Sequence, residues 1–148
     1  MFPNSSLSYT GLPVTKRFEN CKFVAYPDSG GVWTIGYGHT HNVKQGDTCN
    51  QQQADRWLIQ DMNLAESSVR ISVSYPLTQD EYNALVDFVF NVGAGNFHTS
   101  TMLRLLNAGN ITGAADEFEK WDKVHGVTFS GLLRRRIAEE KEFREGAD

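Results

Sequence analysis

The sequence predicts an α+β fold: a small β-hairpin-containing lobe joined by a long helix to a larger, helical lobe. Three observations carry that prediction. Glycines and turn formers crowd the stretch from Tyr26 to Asp47 around a short β-branched and aromatic run, Val32–Tyr37. From Thr48 the apolar residues recur at helical spacing almost to the C-terminus. The first of those helical stretches lasts about 20 residues, ~30 Å of helix, enough to bridge two lobes. The 148 residues read as one domain, 1–148, able to bury roughly 68–70% of its unfolded surface. Lobes are expected near residues 12–60 and 61–145, with the first helix grouped with the second.

Each element follows from local chemistry. Thr10 to Lys22 reads as a first helix, since Thr10 can cap it, Pro13 fits its first turn, and Leu12, Thr15, Phe18 and Lys22 recur at helical spacing. Tyr26-Pro27-Asp28-Ser29-Gly30-Gly31 breaks it, and Val32–Tyr37 begins a twisted hairpin, or two or three short strands, reaching about Asp47. Thr48 with Gln51 gives a capping box for the long helix, whose apolar stripe is Ala54, Trp57, Leu58, Met62, Ala65 and Val69. Pro76 ends that unit, and Thr78 with Glu81 forms a second capping box. The next helix carries Tyr82, Leu85, Val86, Phe88, Val89 and Phe90. It is apolar almost all round and belongs in the middle of a core, with Gly93 and Gly95 to end it. Short helices are expected over Ser100–Asn107 and Ala114–Trp121, a last one over Ser130–Phe143, and a frayed tail at Gly146-Ala147-Asp148.

Composition narrows the function. Hydrophobic content of 40% and charged content of 22% are those of an ordinary globular protein. The net charge is −4, and the one dense basic run, Arg134-Arg135-Arg136, is followed by Glu139, Glu140 and Glu142, so no nucleic-acid footprint is present. The N-terminal stretch MFPNSSLSYTGLPV lacks the basic and apolar regions of a secretory signal. No run approaches the ~18 apolar residues of a membrane span. Cytoplasmic synthesis is the expectation. Cys21 and Cys49 read as free, partly buried thiols. Paired in an oxidising compartment, they would stabilise the fold by roughly 3–4 kcal/mol on the loop-entropy model.

The chemistry concentrates between Phe18 and Thr40. Glu19 lies nine positions before Asp28, and Thr34 six further on. Glu19 falls near the carboxyl end of its helix, where the partial negative charge and the apolar Phe18, Phe23 and Val24 favour a protonated acid. Such an acid can donate to a leaving glycosidic oxygen. Asp28 sits in a turn rich in backbone N–H groups and solvent, suited to an ionised carboxylate that orients a water or steadies an oxocarbenium-like centre. Thr34 brings a hydroxyl on a strand, and Gly36 and Gly38 let a sugar approach the backbone. Composition and spacing by themselves reach a two-carboxylate site, and a turn aspartate is equally at home as an Asx-turn former.

The segment resembles the signature of the phage-type lysozymes: a glutamate ending the first helix, then Asp28, then Thr34-Ile35-Gly36-Tyr37-Gly38-His39 with no gap. The similarity extends to Gly11-Leu12, Lys16-Arg17-Phe18-Glu19, Ala84–Gly93, Gly95-Asn96-Phe97 and Gly131–Arg136 with Glu139, covering nearly the whole chain in order. It implies a lysozyme-like fold with a cleft between the lobes. It also implies an endolysin that hydrolyses the β-1,4 bond between N-acetylmuramic acid and N-acetylglucosamine in bacterial peptidoglycan, without a cofactor. Glu19 is then the general acid, with Asp28 and Thr34 positioning the water. One of Arg134, Arg135 and Arg136 is expected to approach Glu19 or its neighbour, which one being open. The same resemblance implies a monomer that waits in the host cytoplasm and reaches the cell wall through a holin-type pore made by a separate protein, since no membrane-tethering N-terminus is seen.

Other residues take lesser roles. Trp33 and Tyr37 are candidates to stack on a sugar, and Asn91, Phe97 and Thr101 to line the facing wall. His39 and Arg136 count as structural. His39 with His41, Asp47 and Cys49 matches no common zinc spacing, so no metal is expected. Two rivals stand beside the hydrolase: another sugar-cleaving chemistry on a similar scaffold, a lytic transglycosylase or a chitinase, and a cell-wall-binding or structural phage protein with a dead site. A lytic transglycosylase needs the glutamate but no water-positioning pair, and a wall-binding protein with a dead site needs none of the three residues.

Overall fold

The computed structural model describes residues 2–146. Among them are seven α-helices and two antiparallel strand pairs, an α+β arrangement. The chain divides into two compact units, Gly11–Asn63, and Leu64 onward together with the segment up to Thr10.

In the first unit, α1 (Leu12–Glu19) carries Pro13 in its first turn. Gly11 occupies the N-cap position without a side-chain bond. Thr10, expected there, is tied to Asn83 instead: its N–H donates to Oδ1 at 3.1 Å and its hydroxyl accepts from Nδ2 at 2.7 Å. The helix also stops before Lys22. Asn20 turns to φ 52°, a conformation asparagine tolerates better than most residues, and sends the chain into β1 (Lys22–Pro27). β1 pairs with β2 (Trp33–Gly36), Tyr26 opposite Thr34 and Pro27 opposite Trp33, with a register irregularity between Lys22 and Tyr26. The hairpin therefore turns over residues 28–32, one strand earlier than expected.

A third extended segment lies along β1. Ala25 N–H donates to Asp47 O and Cys49 N–H to Phe23 O, both at 2.9 Å, while Val24 bridges Thr48. Thr48 thus belongs to the sheet and not to a cap. The long helix α2 (Gln51–Ser72) starts after Asn50, whose Oδ1 accepts from Gln53 N–H at 2.9 Å and so satisfies one of the helix's unpaired donors. The boundary between the units falls within α2, between Asn63 and Leu64.

The second unit is built round α3 (Gln79–Val92). Its capping box forms as predicted: Thr78 Oγ1 accepts from Glu81 N–H at 3.2 Å, and Glu81 Oε1 accepts from Thr78 N–H at 2.8 Å. Residues 81–89 are all buried, and α3 packs on α7 (Ser130–Gly146). Phe88 meets Phe97, Phe118 and Trp121 edge to face, and Phe118 lies on Phe143. Gly93 ends α3 with φ 96°, and α4 (Ala94–His98) follows. α5 (Thr101–Asn107) is capped by Ser100, whose hydroxyl accepts from Leu103 N–H at 3.1 Å.

The helix expected over Ala114–Trp121 is divided. α6 (Ile111–Ala115) ends early, a 3-10 turn covers Phe118–Lys120, and a hairpin of β3 (Lys123–Val124) and β4 (Val127–Thr128) follows. His125 (φ 50°) and Gly126 (φ 80°) both adopt the positive φ that a two-residue hairpin loop demands. At the N-terminus, Asn4 clips the loop after α2. Its Nδ2 donates to Val73 O (3.3 Å) and Tyr75 O (2.9 Å), and its Oδ1 accepts from Leu77 N–H (2.8 Å). Of the expected frayed tail, Gly146 is the last residue of α7, while Ala147 and Asp148 lie outside the described residues.

Candidate active site

Glu19 is the last residue of α1 and half-buried. Its carboxylate rests on the backbone of Gly38. A Cβ on Gly38 would stand 2.5 Å from Glu19 Oε1 and 3.3 Å from Cδ, and Gly38 holds φ +81°. Only glycine satisfies both conditions, so the missing side chain is what makes room for the acid.

Asp28 occupies the turn between β1 and β2. Its Oδ1 accepts from the N–H groups of Gly30 and Val32, both at 2.9 Å, and its own N–H donates to Val32 O at 2.9 Å. Gly31, at φ 82°, closes the turn by donating to Asp28 O. Both backbone donors use Oδ1. This is an Asx-type turn put to a second use: the same bonds that shape the loop fix an exposed carboxylate.

Thr34, in β2, is 4% exposed and donates its hydroxyl proton to Val32 O at 2.8 Å. With that proton committed, Oγ1 offers lone pairs as an acceptor. The residue opposite is Tyr26. Burial first, then the charge of Glu19 and then that of Asp28, push the Tyr26 phenol up. Tyr26 thus feels the charge of both carboxylates and pairs across the hairpin with Thr34. Tyr26 itself was missed in sequence; its place in the hairpin register is the signal that finds it. Trp33, half-buried, sits opposite Pro27 beside the Asp28 turn.

His39 ties the hairpin to α2. It exchanges backbone hydrogen bonds with Ile35 at 2.9 Å each, its Nδ1 lies 2.8 Å from Asp61 Oδ2, and its ring stacks on Trp57 at 4.6 Å. Tyr37 corrects an expectation. A sugar platform needs an open ring face, and Tyr37 is only 9% exposed, with the Lys16 ammonium 5.3 Å from its ring centre and Gln51 Nε2 donating to its hydroxyl at 3.0 Å. Cys21 and Cys49 are free and part-buried, and burial pushes both thiols up.

The remaining candidates lie in the helical unit. Phe97 is fully buried against Phe88, so it is a core residue and not a wall of a sugar site. Asn91 is half-buried near the end of α3, and Thr101 is exposed in the first turn of α5. Arg134 is exposed. Arg135 donates through Nε and Nη2 to both oxygens of Asp87, each at 2.9 Å. Arg136, fully buried, donates through Nη2 to Glu139 Oε2 at 2.9 Å. Its Nε lies 2.7 Å from Glu139 Oε1, close but without the alignment of a hydrogen bond. No group of three or more side chains suited to a metal occurs among the described residues.

Comparison with known proteins follows the same lines. Residues 16–139 match the phage lysozyme family. The endolysin of Acyrthosiphon pisum secondary endosymbiont phage 1 is 42% identical over 93% of this chain and 97% of its own. The endolysin of Salmonella phage P22 is 38% identical over 90% of this chain and 94% of its own. Among solved structures, the muramidase domain of SpmX from Asticaccaulis excentricus superposes with a TM-score of 0.82 at 35% identity, over 93% of this chain and 97% of that one.

Proposed function

This chain belongs to the phage lysozyme family, and on that footing we propose that Glu19, Asp28 and Thr34 are the groups with which it acts. It is a glycoside hydrolase of the endolysin type. Its reaction is hydrolysis of the β-1,4 bond between N-acetylmuramic acid and N-acetylglucosamine in bacterial peptidoglycan. Glu19 donates its proton to the glycosidic oxygen as the bond from that oxygen to the muramic C1 breaks. A water gives one hydrogen bond to Asp28 Oδ2 and one to Thr34 Oγ1, which leaves its lone pair directed at C1. As the new C–O bond forms, the water's proton passes to Asp28.

The observation that carries this assignment is the seat of the Glu19 carboxylate on Gly38, in the same short segment as the turn that fixes Asp28 through Oδ1 and the strand that carries Thr34. All these residues come from Gly11–Asn63, which supports action as a monomer. We also place the protein's work at the cell wall after release through a pore made by another protein. Among the described residues no helix is long and apolar enough to cross a membrane.

Mass spectrometry of digested peptidoglycan tests the reaction class. Fragments ending in reducing muramic acid are the expected result. Anhydromuramic ends would instead make the protein a transglycosylase, and no fragments from folded protein would leave a binding role.

A further inference from the structure

We propose that Tyr37 is a positioning residue for the general acid: its hydroxyl, held by Gln51, fixes the Gly38 backbone on which the Glu19 carboxylate rests. The inference depends on Glu19 being that acid, as proposed above.

The contacts close into a ring. Gln51, in the first turn of α2, donates from Nε2 to the Tyr37 hydroxyl at 3.0 Å and to Asp55 Oδ1 at 2.9 Å. Asp55 Oδ1 also accepts from Lys16 Nζ at 3.2 Å, and the same ammonium covers the Tyr37 ring at 5.3 Å. Lys16 stands three residues before Glu19 on α1, so the path from Lys16 through Asp55, Gln51, Tyr37 and Gly38 returns to Glu19 and to the helix where it began.

The backbone explains why such a clamp is needed. Tyr37 is flanked by Gly36 at φ 64° and Gly38 at φ 81°, two residues whose dihedrals are the least restricted of any. The Ile35–His39 backbone bonds and the Lys22–Gly36 pairing fix the entry to this three-residue loop, and the one side chain it carries anchors it next to Gly38. That side chain is buried and bonded at its tip. Glu19 Oε1 lies 2.5 Å from where a Gly38 Cβ would be, so a tilt of the loop moves the acid's seat directly. A displacement of 1 Å at a reacting group can lower a rate by about 10²-fold, and a loosened seat should cost a fraction of that.

Tyr37→Phe and Gln51→Leu test the clamp. The first keeps the ring over Lys16 and removes only the hydroxyl; the second changes an exposed residue on which no core depends. Both should lower kcat on soluble peptidoglycan fragments about 5- to 20-fold with KM unchanged within about twofold. The double variant should be no slower than the worse single one. In carbon-13 NMR the Glu19 Cδ signal and the Gly38 amide should move in both variants, while amides of the helical unit, such as Gly109, stay in place. A raised KM with kcat held would make Tyr37 a sugar contact and overturn the proposal, as would unchanged kcat or unmoved Glu19 and Gly38 signals. Should the wild type release no fragments, the hydrolase assignment fails, and the two NMR signals still decide the clamp.

Discussion

Glu19 and Glu139 both sit on helices, and the two regions that hold them treat charge in opposite ways. Glu19 is half-buried at the end of α1, beside a loop from which side chains are missing at Gly36 and Gly38. Nearby, Asp28 is held through one oxygen by two backbone N–H groups. In the helical unit Glu139 is 3% exposed between Arg135 and Arg136, with Asp87 bound to Arg135. Burial there pushes the Glu139 carboxyl well above its usual range, a shift reinforced by a hydrogen bond to Asp87 and opposed by both arginines. The first region seats one acid on a bare glycine backbone and holds the other through backbone N–H groups; the second closes its charges on one another. Turnover should therefore be sensitive to the Gly11–Asn63 unit and stability to the α3–α7 pair.

Four substitutions sharpen the contrast, in falling order of effect. Asp28→Asn keeps the Oδ1 bonds and removes the acceptor for the water's proton, so kcat should fall by roughly 10²–10⁴-fold with little change in melting temperature. Gly38→Ala puts a methyl carbon 2.5 Å from Glu19 Oε1 and displaces the acid, and kcat should drop on the order of 10²-fold. The positive φ adds about 1–3 kcal/mol of strain, read by urea denaturation. Arg136→Met strands Glu139 and should destabilise by about 3–5 kcal/mol. Adding Glu139→Leu to that variant should restore part of the loss.

The smallest effect is pH-dependent. Glu142, in α7, is pushed up to about 7 by burial, then by Asp80, Asp87 and Glu145. Its folded value exceeds its unfolded 4.5, so the folded state binds the proton more tightly. The resulting stability is full below about pH 4.5 and is lost as pH rises through about 7. Allowing for screening of a half-exposed group, Glu142→Gln should be more stable than wild type by about 1 kcal/mol at pH 8. The difference should vanish at pH 4, and denaturation at the two pH values measures it.

What was legible in the sequence was local. Glu19, Asp28 and Thr34 fall within one 16-residue run from the end of α1 through the first hairpin, so their spacing can be read without any distant partner. The α3 capping box needs only Thr78 and Glu81, and its all-round apolar face could only be central. What was hidden depends on distant partners. Lys22–Pro27 is a strand because residues 33–36 and 47–49 flank it, and its exposed Phe23 and Val24 give no alternating pattern to read. Thr10 looked like a cap until Asn83, 73 residues away, claimed it. Phe97 and Tyr37 carry rings that suit a sugar, and only the structure shows one buried against Phe88 and the other under the Lys16 ammonium with its hydroxyl bonded to Gln51. The Arg135–Asp87 pair spans 48 positions and has no local signature.

The central claim is that Glu19 supplies the proton. Glu19→Gln keeps the side chain's shape and removes its acidity, so the most direct measurement is reducing-end release from purified peptidoglycan by wild type and variant, each confirmed folded by its melting curve. The account predicts at least a 10²-fold loss of turnover at an unchanged melting temperature. Near-normal turnover by a folded Glu19→Gln protein would contradict it.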